Sequence, residues 1–280
     1  MERLDVQLLG GVEVTLDGRP VEFESDTARA LLARVAAAPV GETVTRAAIA
    51  EMLWPERPEG AARANLRHTL ASVRHAIGDV DADVPFLKVS RTSLGVDPLA
   101  SAHVDVAELR RLAATSPDAP GAVAAWDRAA ALRRGPFLDG LDPPVDATWE
   151  EWVRAVRAEL DQVAVEALRR VADVRERAGE LAEARRVARR WIELEPWDER
   201  AHRLVARTLA AERQAARAVD HLERFAGRLR EELGVEATAE TIALLEAVRA
   251  GAAVTPAPVV AARKAPGPVM QLVDRGDELH

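Results

Sequence analysis

Strand-type alternation is confined to about the first hundred residues of this chain, and from about Val104 onward every periodic stretch is helical. That change of period predicts a mixed α+β unit followed by an all-α unit. Leu4, Val6 and Leu8 alternate with polar or charged neighbours, as do Val12, Val14 and Leu16, with Gly10-Gly11 and Asp17-Gly18 as turns. Asp26 or Thr27 is placed to cap a helix through residues 28–35, which Pro39 and Gly41 end. Thr45 caps a second, short helix over 47–53; residues 54–60 form a loop, and a third helix spans 60–78. Phe86-Leu87-Lys88-Val89 and Ser93-Leu94-Gly95-Val96, joined by Ser90-Arg91-Thr92, read as a closing hairpin. Strands, three helices and a hairpin in that order predict a winged helix-turn-helix over residues 1–103.

Beyond it, helical periodicity covers 105–115, 120–134, 146–178, 180–194, 198–211, 214–233 and 238–250. The breaks fall at Pro117 and Pro120, Gly135-Pro136, Pro143-Pro144, Gly179, Pro196 and Gly234. From Glu150 the helices come in short-linked pairs, which predicts a tetratricopeptide-like stack within residues 104–250. Residues 251–268 hold prolines 256, 258, 266 and 268 among Ala, Val and Gly, a linker composition. Residues 269–280 turn apolar and charged again, as at the possible start of a further domain.

The third helix is the chemically distinctive segment. The whole chain is acidic, with 46 Asp+Glu against 38 Lys+Arg, yet residues 60–78 carry Arg63, Arg67, Arg74, His68 and His75 and no acid. Basic groups outnumber acids in residues 60–91, whereas residues 1–59 are strongly acidic. The only lysines are Lys88 and Lys264, so arginine supplies nearly all the positive charge, as a GC-rich coding sequence gives. On a helical wheel Leu66, Leu70, Val73 and Ile77 share one narrow arc and face a core. Opposite them lie Ala61, Ala64, His68, Ala71, Ser72 and His75, with Arg63, Arg67 and Arg74 on one shoulder. Small Ala64 and Ala71 let a backbone approach base edges, which Arg67, His68 and Ser72 then reach; Arg63, Arg74 and His75 are better placed for phosphates. Arg91 at the hairpin tip is placed for an adjacent minor groove or the DNA backbone.

Other chemistries find little support. No apolar run approaches membrane-spanning length, and the charged start Met1-Glu2-Arg3-Leu4-Asp5 is unlike a signal segment, so a cytoplasmic protein is expected. Cysteine and tyrosine are absent, which closes thiolate and phenolate roles. There is no G-x-x-x-x-G-K-[ST] loop and no H-E-x-x-H, so neither an enzyme nor a cofactor is expected. His68 and His75 stand two helical turns apart, roughly 10 Å, too far to share a metal. Trp126, Trp149, Trp152, Trp191 and Trp197 read as core anchors.

Leu53-Trp54-Pro55, then Ala64-Asn65-Leu66 and Val73-Arg74, are followed by Gly135-Pro136-Phe137-Leu138-Asp139-Gly140-Leu141, Glu151-Trp152, and Glu232-Leu233-Gly234-Val235 through Leu244. In that order these motifs resemble the SARP-type bacterial regulators, over roughly residues 3–250. The resemblance implies an OmpR-like winged helix joined to a bacterial transcriptional activator domain (BTAD). It implies an activator that binds double-stranded DNA at repeated sites as a homodimer and contacts RNA polymerase. By position, Trp54, Glu56, Arg57 and Glu59 match the segment that meets polymerase in OmpR-like proteins. Leu272-Val273-Asp274-Arg275-Gly276-Asp277-Glu278-Leu279 resembles the opening of the nucleotide-binding domain that follows BTAD in larger relatives, so such a downstream domain is also implied. The acidic charge around the third helix leaves an alternative open: a protein-interaction scaffold whose winged helix no longer binds DNA.

Overall fold

The computed structural model describes residues 3–143 and 147–251. Strands β1 (Leu4–Gln7), β2 (Glu13–Leu16) and β3 (Arg19–Pro20) run antiparallel, with Val6 opposite Val14 and Leu16 opposite Arg19. Asp17 and Gly18 both take positive φ between β2 and β3, the backbone that a tight Asp-Gly hairpin turn requires. Helices α1 (Asp26–Ala36), α2 (Arg46–Leu53) and α3 (Glu59–Ala76) follow, and hairpin β5 (Leu87–Val89) and β6 (Ser93–Val96) closes the motif. The winged helix predicted from element order is therefore present.

Local chemistry accounts for the element ends and for the departures from expectation. Thr45 caps α2 as predicted, its hydroxyl accepting from the Ala48 amide at 3.2 Å. At α1 the cap is Ser25, which accepts from the Ala28 amide at 3.2 Å; Asp26 and Thr27 already lie inside the helix. The third helix starts at Glu59, earlier than the glycine, because Pro58 sits just outside and leaves its carbonyl to accept from Ala61 and Ala62. Two short strands escaped the sequence reading. β4 (Val44–Thr45) pairs with β6, and β7 (Ala102–Val104) pairs in parallel with β1, making the order β3-β2-β1-β7. Gly95 of β6 has to be glycine, since a Cβ there would stand 2.8 Å from the Glu42 carbonyl oxygen.

The remaining helices are α4 (Asp105–Ala113), α5 (Ala122–Leu132), the long α6 (Ala147–Arg177), α7 (Leu181–Leu194), α8 (Glu199–Ala211), α9 (Ala215–Arg228) and α10 (Ala239–Arg249), with a π-helical turn Leu229–Leu233 after α9. Successive helices pack on one another from α4 to α10, giving the tetratricopeptide-like stack expected. Trp126, Trp149 and Trp191 are buried as anchors, while Trp152 and Trp197 are half-buried. The expected linker 251–268, save its first residue, and the segment 269–280 lie outside the described residues.

The two regions share one hydrophobic core running from Leu4 to Val248, and a strap joins them. The strap is the Gly135–Gly140 stretch, which sequence reading treats as a helix break. Gly10 N–H donates to Pro136 O at 3.1 Å, Leu138 N–H to Leu8 O at 2.9 Å, and Asp139 N–H to Gly10 O at 2.8 Å. Glycine suits both sides of this contact: Gly10 takes a φ of +127°, and a Cβ on Gly135 would press to 3.2 Å from the Gly10 Cα. Beside the strap the buried Asp105 carboxylate accepts from the Leu8 and Leu9 amides at 2.9 Å and from Arg134 at 3.3 Å. Burial pushes this carboxyl above the usual range, against the pull of those amides and of Arg134. Arg34 of α1 lies over the Trp152 ring at 5.0 Å, and Arg110 of α4 donates to Ala37 O at 2.8 Å while pairing with Glu159. The winged helix is thus held to the stack by backbone, charge and aromatic contacts together.

Candidate nucleic-acid interface

Helix α3 buries Ala62, Leu66, Leu70 and Val73, which turns Ala61, Ala64, Arg67, His68, Ala71 and His75 outward. Arg67, His68, His75 and, at the hairpin tip, Arg91 are exposed, and their side chains make no hydrogen bond or ion pair among the described residues. Ser90 orders that tip, its Oγ accepting from the Thr92 amide at 3.2 Å and the Ser93 amide at 2.9 Å. Arg91 is therefore carried on a fixed turn.

Three other candidates are already engaged. Arg63 pairs with Glu59 one turn earlier, so the helix does contain an acid, in its first turn. Ser72 Oγ donates to Glu24 Oε2 at 2.8 Å, bringing an acid from the segment before α1 against the outer face. Arg74 Nε donates to Asp79 Oδ2 at 2.6 Å, and the other Asp79 oxygen accepts from the Leu87 amide at 2.8 Å. Asp79 is fully buried, so Arg74 serves to tie the end of α3 to the hairpin and is not a free phosphate contact.

Between α2, α3 and the hairpin lies a groove of about 590 Å³ lined by Thr45, Arg46, Ala47, Arg63, Leu66, Arg67, Arg91 and Thr92. Four arginines line it and no acid is among the lining residues. The structure thus brings Arg63, Arg67 and Arg91 together, while Arg74, His68 and His75 lie outside the groove lining. Arg46 was missed in the sequence. Its Nε is buried without a hydrogen-bond partner among the described residues, an unmet donor beside three other cations. The available signal was the Thr45 cap, which fixes Arg46 as the first residue of α2.

In the loop before α3, Trp54 is half-buried, and Glu56 and Arg57 are exposed. The Arg57 amide donates to the Trp54 carbonyl at 3.1 Å, which closes the loop on itself. Glu59 does not belong to this loop, since it is helical and paired with Arg63.

Residues 100–249 match the bacterial transcriptional activator domain. The chain belongs to that family. With a winged helix ahead of it, the BTAD stands in the SARP-type arrangement. The fold is similar to a solved structure of Mycobacterium tuberculosis EmbR in complex with a low affinity phosphopeptide, at a TM-score of 0.71 and 21% identity. The match covers 91% of this chain and 67% of the EmbR chain. No curated protein matches. The BTAD family is one of transcriptional regulators and not an enzyme class. Among the described residues, no helix is long and apolar enough to cross a membrane, and no three His, Asp or Glu side chains are grouped to hold a metal ion.

Proposed function

We propose that this BTAD protein is a sequence-specific DNA-binding regulator whose α3 enters the major groove. The observation that carries the reading is the four-arginine groove between α2, α3 and the hairpin, in a chain whose formal net charge is −8. Cations gathered at one concave site of an acidic protein suit a polyanion that approaches from that side. Arg67 is placed for a base edge, with His68 and Ser72 beside it and Ala64 and Ala71 allowing close approach. Arg46, Arg63 and Arg91 suit phosphates on either side of the groove. Residues 1–103 form the reading unit in this view and residues 104–250 the unit that pairs two chains. The loop bearing Trp54, Glu56 and Arg57 meets RNA polymerase, and the protein works in the cytoplasm as an activator.

Sequences selected from random duplex DNA at several salt concentrations test the reading. A motif should be enriched, and affinity should fall with salt by a slope of about 0.9 for each phosphate contacted. No enrichment, and no salt-dependent binding even at low ionic strength, would sink it. That outcome favours the scaffold alternative, which draws on a specific observation: Glu59, Glu24 and Asp79 already occupy Arg63, Ser72 and Arg74.

A further inference from the structure

A second group of charged residues lies at the far end of the stack. Arg217, Asp220, His221 and Arg224 recur on α9 at the spacing that places them on one helical face. With Arg189 of α7 and Val205 and Leu209 of α8 they line a cleft of about 140 Å³. Arg224 pairs with Asp220, and Arg217 donates to Gln214 at 2.8 Å. Arg189 is exposed and makes no hydrogen bond or ion pair among the described residues. Three arginines and one aspartate thus line the cleft.

Behind the cleft the proton positions are set by a chain of contacts. His202 of α8 is buried, stacked on Phe225 with centroids 3.7 Å apart, and its Nε2 lies 3.0 Å from Pro196 O. A carbonyl oxygen only accepts, so His202 Nε2 carries the hydrogen and the neutral ring has a bare Nδ1. That Nδ1 lies 3.1 Å from His221 Nε2, which must then donate. The neutral His221 is left with a bare Nδ1 that makes no hydrogen bond among the described residues. The cleft therefore combines three cationic donors with one neutral acceptor.

We propose that the cleft between α7, α8 and α9 binds a phosphoryl group, the guanidinium groups of Arg189, Arg217 and Arg224 donating to its oxygens and the neutral His221 Nδ1 accepting a hydrogen bond from its P–OH. The volume suits one tetrahedral oxyanion. A phosphate monoester retains a proton in part near neutrality, because its second ionisation lies near pH ~6, whereas sulfate brings none. His221 does not readily supply a proton itself. Burial, then His202, Arg224 and Arg189, push it down to about 4, with Asp220 opposing. The neighbouring His202 is also held down by burial, against the Pro196 hydrogen bond, with Arg228 adding to the burial and Asp198 and Glu199 opposing it. An anion that carries its own proton meets the acceptor without forcing a fourth positive group beside the three arginines.

The test follows the imidazole resonances of His202 and His221 by NMR while inorganic phosphate, phenyl phosphate or sulfate is added near neutral pH at constant ionic strength. Phosphate and the monoester should move both histidines, and sulfate should act much more weakly. Tighter binding of the monoester assigns the site to a phosphorylated molecule, and tighter binding of inorganic phosphate to the free anion; both support the proposal. Arg189→Ala removes an exposed side chain that makes no hydrogen bond or ion pair among the described residues, so the fold should be kept, and phosphate affinity should drop about tenfold for one lost charge-assisted hydrogen bond. Equal responses to sulfate and phosphate, or an Arg189→Ala variant that binds phosphate like the parent, would overturn the proposal. The outcome is independent of whether α3 reads DNA.

Discussion

Arginine behaves differently in the two regions of this molecule. In the helical stack it reaches carboxylates again and again: Arg110 to Glu159, Arg169 to Glu195 and Asp198, Arg185 to Glu212, and Arg207 to Glu176. In the groove beside α3, Arg46, Arg67 and Arg91 reach none among the described residues. The residue type is the same, and a chain that uses arginine for nearly every cation gives it no diagnostic value alone. The absence of a counter-charge is what separates a cation that fastens helices from one available to a partner.

The largest effect should come from a fastening arginine. Arg207 and Glu176 form a two-pronged pair at 2.7 and 2.9 Å, with side chains only 14% and 9% exposed. Arg207→Ala leaves a buried carboxylate unpaired and should cost about 3–5 kcal/mol in urea unfolding. Replacing both residues with apolar ones, Arg207→Met with Glu176→Leu, should recover most of that loss. If Arg207→Ala unfolds like the parent, the contrast between fastening and available arginines is wrong for the stack.

Arg67→Ala should leave unfolding unchanged and cost about 1–3 kcal/mol in binding the preferred duplex, with sequence preference relaxed at one position. Unchanged preference in a binding-site selection would mean that α3 presents another face. Arg46→Ala should weaken all duplexes about equally and lower the salt slope by about 0.9, the mark of one phosphate contact. A slope equal to the parent's would remove Arg46 from the groove's binding role. The smallest effect belongs to Arg63→Ala. Its guanidinium already has Glu59, and an exposed pair one helical turn apart contributes only about 0.3–0.5 kcal/mol to stability. A loss of duplex affinity as large as that of Arg67→Ala would show that Glu59 gives Arg63 up to DNA.

How far the sequence was legible depends on the length of each pattern. The helices from α4 to α10 carry long apolar stripes, and their positions were readable within a few residues. β4 and β7 were not, since two or three residues cannot show a period, and β7 is recognisable only through its pairing with β1. At the candidate site, the outward face of α3 followed from its wheel, but the charges meeting it did not. Glu24 and Asp79 come from segments before and after the helix, and Arg46 precedes it by more than a dozen residues. Periodicity describes one element at a time, and these contacts join different elements.

The strap between Gly10 and Gly135 fixes more than the attitude of the winged helix. If two chains pair through their helical stacks, each α3 is held at a preset distance and rotation from the other, like the points of a locked caliper. The permitted spacing between two DNA half-sites then becomes a property of the Gly135–Gly140 segment, far from any base. Operators lengthened by half a helical turn would present the second half-site on the wrong side of the duplex, and no side-chain rearrangement on α3 would retrieve it.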